Sequence, residues 1–428
     1  MNTNEVKNNE IKEEIIDAVS KFIKENITAI NKQYNNVVDK SSVDQLKFKT
    51  SKIYKNISIS EYNEELTSVS VVILTANYFE REVLNFNAYN DNKVQIKRLS
   101  NKIKLFCTKD FRVVDAYILK IDKYTILHLH APETGSNTPC GSADLVRYIN
   151  SNMYLQPTCI VSFGVCYGID WKNQNIGDTI IAEKIYPWSV GIKLDENGWH
   201  IKHDGYIIDI REHFSILYSN INDIILGQTN KEKNVPLRNA KLGNMLTGEA
   251  VLSNEEIKVE AIQKAFGFNI LGGEMEGYGL AKECIYYLNT PCMIVKSICD
   301  WGACKNIEDD LCKHLNNGKK GNYKDQLQAY AAYCAYTVLK KFFYENLFGT
   351  ESLIENIKNF LIDNYHQNET IQEEKLKAIL KKYFLKNVQK RNSIHFENDI
   401  VEPIIKKLVI DNYFTKKKNE GITTYTFR

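Results

Sequence analysis

No run in this 428-residue sequence approaches the roughly eighteen consecutive apolar residues that a membrane-spanning helix needs. The first residues, MNTNEVKNNEIKEE, are polar and acidic, unlike the basic and then apolar start of a secretory signal. A cytoplasmic protein without membrane contact is the expectation. CxxC pairs are missing too. The ten cysteines are scattered, and several, such as Cys159, Cys166, Cys292 and Cys299, fall in apolar or glycine-rich segments expected to be buried. Thiols used in this way suit a reducing compartment and argue against a zinc site. Charge of one sign is also lacking. The 55 basic and 53 acidic residues leave a formal net charge of +2, which gives no global electrostatic reason to expect nucleic acid or a lipid surface as partner. Local patches stay open.

What is there is an ordinary globular composition, 43% hydrophobic and 25% charged. The chain exceeds the length over which one core keeps growing, so two or more modules are expected. Residues 1–66 form an N-terminal helical extension. Ile11, Ile15, Val19, Phe22, Ile23, Ile27 and Ile30 recur at helical spacing, and this stripe docks on the main domain or on a second subunit. Residues 67–348 alternate β-branched runs with helical patterns. Strands are expected at 69–75, 113–121, 124–130, 159–163, 178–184 and 292–298, and helices at 78–87, 142–152, 254–266, 275–288 and 325–345. Several of these strands are continuously apolar, which predicts a buried, largely parallel sheet with helices on both faces. Ligands in such sheets sit at the carboxyl ends of the strands.

Residues 349–428 read as three helices (351–364, 373–385, 397–410) and a hairpin over 411–428 turning at Asn419-Glu420-Gly421, the outline of a winged-helix module. From residue 351 onward, 14 basic residues face 11 acidic ones. That is too weak a basic stripe to favour DNA. Contact with a regulatory protein, or bracing of an oligomer, is preferred.

Four segments can carry chemistry. In Thr75-Ala76-Asn77-Tyr78-Phe79-Glu80 a carboxylate follows a strand end, placed to take a proton from water; a carboxylate here also suits a helix N-terminus. Ser162-Phe163-Gly164-Val165-Cys166-Tyr167-Gly168 puts glycines just past an apolar strand, where backbone amides can approach a ligand. Gly272-Gly273-Glu274-Met275-Glu276-Gly277 offers two carboxylates flanking a thioether; helix capping competes with ligand binding, and the double glycine favours a site. Asp300 ends the strand CMIVKSIC as a candidate acid, with partial burial expected to raise its pKa, or as a turn cap. His128 and His130 end another strand on one side, with a structural role preferred for each.

In this order the segments resemble the nucleoside phosphorylase superfamily, in its methylthioadenosine/S-adenosylhomocysteine nucleosidase-like branch, as found fused in bacterial immunity effectors. The likeness covers about 280 of the 428 residues, and the EMEG segment with the later aspartate is its most specific part. It implies a three-layer α/β/α sandwich around a mixed, partly closed sheet. By this resemblance Glu80 activates the attacking water and Asp300 protonates N7 of the leaving purine. Glu276 holds the ribose hydroxyls over Met275. Gly164 and Gly168 floor the pocket, and Val251, Leu252, Glu274 and Cys299 complete the substrate contacts.

Where the phosphorolytic branch carries arginines and a hydroxyl, this chain has TANYFE, Ser162 and Val165. Water is therefore expected as nucleophile. Val251 stands where the nucleosidase branch has a base-stacking aromatic, so the base pocket is altered. Arg81, Arg98 and Arg112 are candidate ligands for substrate phosphates, with surface solvation the competing reading. The expected activity is hydrolysis releasing purine, adenine first, from a nucleoside or from a nucleotide such as ATP or dATP. A phosphorylase and a nucleoside-binding sensor working through the winged-helix tail are the alternatives. No cofactor or metal is implied, and a homo-oligomer is.

Overall fold

The computed structural model describes residues 3–39, 47–101, 103–105, 112–131, 135, 141–152, 154–188, 192–195, 198–201, 207–228, 236–248, 269–302, 308–316, 318, 321–350, 352–365, 369–387, 401–419 and 422–427. Among them a twelve-stranded sheet forms the centre. Its strands are β1 (Tyr54–Ile57), β2 (Val71–Thr75), β3 (Ile96–Leu99), β4 (Ile103–Leu105), β5 (Arg112–Ile121), β6 (Tyr124–His130), β7 (Cys159–Gly168), β8 (Thr179–Pro187), β9 (Ile208–Asp209), β10 (Ala240–Thr247), β11 (Ile270–Glu274) and β12 (Cys292–Asp300). Val71–Thr75 and Cys292–Cys299 are buried without a break, as strands covered on both faces must be.

The sheet runs β9-β8-β10-β11-β7-β2-β6-β5-β3-β1, and β12 lies between β8 and β7. Because β11 also pairs with β7, through Gly272↔Gly168 and Gly273↔Tyr167, strands β7, β12, β8, β10 and β11 close on themselves. The expectation of a largely parallel sheet needs correcting. As many pairings are antiparallel as parallel. The β5–β6 hairpin and the closure at β11 both demand reversed neighbours. Closure also gives the double glycine a packing reason. A Cβ at Gly273 would come 2.1 Å from the Tyr167 hydroxyl, and one at Gly272 2.7 Å from the Tyr167 carbonyl.

Two helical groups cover the sheet. On one side α1 (Thr3–Val37), α3 (Tyr78–Asn92), α7 (Glu308–Asn316) and α8 (Tyr323–Tyr344) pack together; elsewhere α4 (Ser142–Ser151) packs on α6 (Gly277–Glu283). Helix α5 (Ser215–Leu226) lies on β10. The inner face of α8 is built from Ala329, Ala331, Ala332 and Ala335, all buried. The stripe of α1 is buried against this same chain, with Ile15, Ile16, Val19, Ile23 and Ile30 in the core; Ile27 stays exposed. The sheet also reaches back before residue 67, since β1 pairs with β3 and α2 (Ile59–Leu66) packs beside β5.

The C-terminal residues give α9 (Leu353–Asn364), β13 (Thr370–Gln372), α10 (Glu373–Asn387), α11 (Glu402–Ile410), β14 (Phe414–Asn419) and β15 (Ile422–Phe427). The three strands form an antiparallel sheet ordered β13-β15-β14, one strand more than the hairpin expected from the pattern. Residues 397–400 and the Glu420-Gly421 turn lie outside the described residues, as does the helix expected at 254–266. Its apolar residues join the main core, and bonds between described residues tie it to the rest of the chain. The Ile354 amide donates to the Thr67 carbonyl at 2.9 Å, Asn356 Nδ2 to Gln156 Oε1 at 3.1 Å, and Lys406 Nζ to Glu64 Oε2 at 2.6 Å.

Gly273→Ala should destabilise the protein by roughly 1–3 kcal/mol, the usual range for overpacking a filled interior. Thermal unfolding checks this. An unchanged melting temperature would show that the sheet closure tolerates a side chain.

Candidate active site

The carboxyl ends of β2, β7 and β12 and the start of α6 meet at one place. Helix α3 begins at Asn77, whose side chain accepts from the Phe79 amide at 2.7 Å, and the Glu80 side chain returns to the chain entering the helix. Glu80 Oε2 accepts from the amides of Ala76 and Asn77, both at 2.9 Å, and Oε1 accepts from the Val165 amide at 2.8 Å. The helix-terminus reading of Glu80 is met, and the carboxylate that caps α3 also points across to β7. Space for it comes from Gly164, where a Cβ would lie 1.9 Å from Glu80 Oε1.

Opposite Gly164 in the parallel β7–β12 ladder stands Lys296, 1% exposed. Its Nζ lies 3.0 Å from Glu276 Oε2 and 3.8 Å from Glu80 Oε1, so one ammonium bridges two carboxylates. Glu276 Oε1 also accepts from the Gly135 amide at 3.4 Å. The Ser142 hydroxyl, at the start of α4, donates to the Glu276 carbonyl. Burial works against the Lys296 charge, but Glu276, Glu80 and Glu274 outweigh it and hold the amine protonated, its pKa above the ordinary value. Burial would likewise raise Glu276, yet Lys296 reverses this and keeps that carboxyl below its usual pKa. At Glu80 burial wins. Its pKa is raised, with Lys296 opposing and Glu276 reinforcing the shift.

Glu274 differs from its neighbour. Its oxygens accept from the amides of Glu276 at 2.9 Å and Gly277 at 2.8 Å, so it caps the turn into α6. Burial, and then the charge of Glu276, raise its pKa. The observed bonds of Glu274 are those of a helix cap, the reading that competed with ligand binding at this segment. Met275 is half-buried between the two.

Asp300 Oδ1 accepts from the Gly302 amide at 2.8 Å, the turn-capping geometry, while Cys299 Sγ lies 3.4 Å from Oδ2. Burial, and next Asp300, push the Cys299 thiol up, so it stays a donor. Burial pushes the Cys166 thiol well up, with Lys296 opposing the shift and Asp300, Glu274 and Glu80 adding to it.

Other expected site residues fall elsewhere. Gly168 belongs to the sheet closure, where its Cβ would meet Gln174 Oε1 at 2.9 Å and Ile298 at 3.0 Å, so it does not floor the pocket. Arg81 is engaged by Glu82 and lies 3.5 Å from Asp115, and Arg98 lies 3.2 Å from Asp115. Two acids balance these two arginines, which removes both as unneutralised phosphate ligands. The side chain of Arg112, and Val251 and Leu252 entirely, lie outside the described residues. His128 is fully buried, and burial drives its pKa well below the ordinary value, with His130 and Arg81 adding to the effect. Its ring joins Thr75 at 2.8 Å and Asn85 at 2.8 Å, and the Thr75 hydroxyl also meets His130 at 3.1 Å. This chain of bonds fixes the strand end from which Glu80 is reached.

Sequence reasoning missed Lys296. Its signal was a lone charge inside CMIVKSI, a segment read as a buried strand, where an ammonium must find partners. Among the described residues no group of three or more His, Cys, Asp or Glu side chains could hold a metal ion.

No family model matches the sequence. A curated protein of Amphimedon queenslandica, named death domain-containing ATP nucleosidase, is 26% identical over 228 residues, which is 50% of this chain and 38% of that protein. The chain therefore matches well under half the length of this relative. Among solved structures, the 5'-methylthioadenosine/S-adenosylhomocysteine nucleosidase of Colwellia psychrerythraea in complex with adenine aligns at 16% identity, covering 67% of this chain and 98% of that one, with a TM-score of 0.45. The futalosine hydrolase of Helicobacter pylori aligns at 15% identity over 65% and 98%, with a TM-score of 0.44.

Lys296→Met should move the titrations of Glu80 and Glu276 to higher pH by at least about one pH unit, since the ionised forms lose their counter-charge. Carbon NMR of labelled glutamate side chains would read both. Titrations that stay in place would mean that Lys296 does not govern these carboxylates.

Proposed function

We propose that this site hydrolyses the N-glycosidic bond of a purine nucleoside or nucleotide and releases the free base. The observation that carries the reading is the buried Glu80–Lys296–Glu276 bridge centred on β12, the strand that Asp300 ends. Glu80, raised in pKa yet held by three amides, is suited to take a proton from water. Glu276, kept ionised by Lys296, is suited to accept from ribose hydroxyls and to face the cationic sugar of an oxocarbenium-like transition state. Asp300 gives its proton to N7 as the C1′–N9 bond breaks. Water then adds to C1′, and its proton passes to Glu80. Each half of the developing charge pair thus meets an opposite charge or a proton donor.

Water rather than phosphate is favoured as nucleophile on electrostatic grounds. Among the described residues one ammonium, that of Lys296, lies between these carboxylates, and two of them already share it. Additional anionic charge would be repelled there. Adenine is the first candidate base and ATP or dATP the first candidate substrate, supported by the name of the Amphimedon queenslandica relative. On the same reading the chain acts in the cytoplasm as a homo-oligomeric antiviral effector. Its α1 extension and winged-helix-like C-terminal unit are the parts through which a regulatory partner holds or releases it.

Purified protein should release base from at least one of adenosine, methylthioadenosine, AMP, ATP, dATP, inosine and guanosine without added phosphate, as followed by chromatography. Base release that requires phosphate would establish a phosphorylase. Binding without any release would establish a sensor. Glu276→Gln should lower turnover by about a hundredfold or more, the range that one electrostatic contact to a transition state can reach. The acidic limb of kcat/KM should lie above the ordinary glutamate pKa of about 4.3, because the base must be ionised and burial raises Glu80. A limb at or below that value would remove Glu80 from the role.

A further inference from the structure

Residues 34–39 and 47–50 take no part in the chemistry described so far, yet they border the first turn of α3. Tyr34 and Val37 end α1, and Val38 pairs with Phe48 in a short antiparallel ladder. With Phe79, Val83, Ala329 and Ala332 they build an apolar cluster separate from the main core, and Val165 packs on its edge. The Phe48 ring meets the Phe79 ring edge-on at 5.7 Å, and the Tyr34 ring lies 6.1 Å from it. Asn322 Nδ2 donates to the Tyr34 hydroxyl at 3.3 Å, which fixes that ring. Two residues past Phe48, the Thr50 hydroxyl donates to the buried Glu82 carboxylate. The N-terminal segment therefore holds α3 at Phe79 and at Glu82, on either side of Glu80. It also borders Val165, whose amide binds Glu80 directly.

We infer that Tyr34 and Phe48 are positioning residues for Glu80, so that the end of α1 and the strand after it complete the active site. This rests on the reading of Glu80 as the base. The carboxylate is set by three amide contacts of 2.8–2.9 Å, two from the entry to α3 and one from β7. A tilt of the first helical turn changes the first two against the third. Misplacement of a reacting group by about 1 Å costs on the order of a hundredfold in rate. Removing the ring that seats Phe79 therefore acts on the chemical step more than on substrate binding.

The experiment uses the full chain with Phe48→Ala, Phe48→Leu and, at the other end of α1, Lys12→Ala, which breaks the surface link to Asp310. Base release gives kcat and KM, thermal unfolding reports the fold, and amide hydrogen exchange is read over residues 74–80 and 163–167. Phe48→Ala should lower kcat about tenfold or more, within the hundredfold scale of such misplacement. KM should stay within about twofold, the acidic limb of the pH profile should move, and exchange should quicken at both segments. Phe48→Leu should restore most of kcat by refilling the space, and Lys12→Ala should match the wild type. Unchanged kcat and exchange in Phe48→Ala would overturn the inference, as would an equal loss of kcat in Lys12→Ala. A wild-type protein that releases no base would sink the hydrolase reading instead. The exchange comparison would still decide whether Phe48 sets the Glu80 contacts.

Discussion

One buried ammonium sets the terms for everything around it. Lys296 sits in the middle of a strand with no exposed residue, where an unpaired charge would cost many kcal/mol. It is tolerable because Glu276 and Glu80 converge on it, and those two are tolerable together because it stands between them. Removing Lys296 leaves two carboxylates uncompensated in the interior, and removing either glutamate takes one partner from the ammonium, so the three depend on one another. The demand spreads to neutral neighbours. Gly164 must lack a side chain because Glu80 occupies its place, and the Val165 and Gly135 amides point at carboxylate oxygens.

The closed part of the sheet brings these groups together. Glu80 follows β2, Gly164 and Val165 lie in β7, Glu274 ends β11 and Asp300 ends β12, so residues more than two hundred positions apart share one small volume. The closure at Gly272 and Gly273 puts β11 against β7, and the turn into α6 then carries Glu276 back toward Lys296. Capping and chemistry use the same bonds at two points. The bonds that terminate α3 orient Glu80, and those from Glu274 to the start of α6 orient Glu276. Site geometry thus costs the fold little beyond what helix termini require anyway.

Much of this was legible in the residues. Continuous apolar runs such as VVILT and CMIVKSI marked the central strands, and turn residues with carboxylates marked their carboxyl ends. Short strands such as Ile96–Leu99 and Ile103–Leu105 escaped notice because three or four residues cannot display a period. The antiparallel share of the sheet escaped because apolarity reports burial, not direction. Glycine was the least readable residue. Gly164 clears space for a carboxylate, whereas Gly168, Gly272 and Gly273 clear space for strands, and nothing local separates the two purposes. The arginines misled for a related reason, since Asp115, which holds both Arg81 and Arg98, lies 34 and 17 residues from them.

The two added parts of the chain stand differently toward the site. The C-terminal unit is tied to Thr67 and Glu64 ahead of β2, and the Gly349 carbonyl before it accepts from Thr158 just ahead of β7. These are the amino ends of the strands whose carboxyl ends lead to the candidate site. Any influence from there must travel the length of two strands packed in the core, which resist displacement because their neighbours leave no room. The end of α1 and the segment after it touch the first turn of α3 itself, through aromatic rings against Phe79 and one hydroxyl on Glu82. Tyr34, Phe79, Thr50 and Glu82 are buried in these contacts and Phe48 is half-buried, so the clamp turns on one ring at the edge of the fold, where a local rearrangement costs least. A control that must reverse is better built on such a clamp than on the rigid strands at the opposite end.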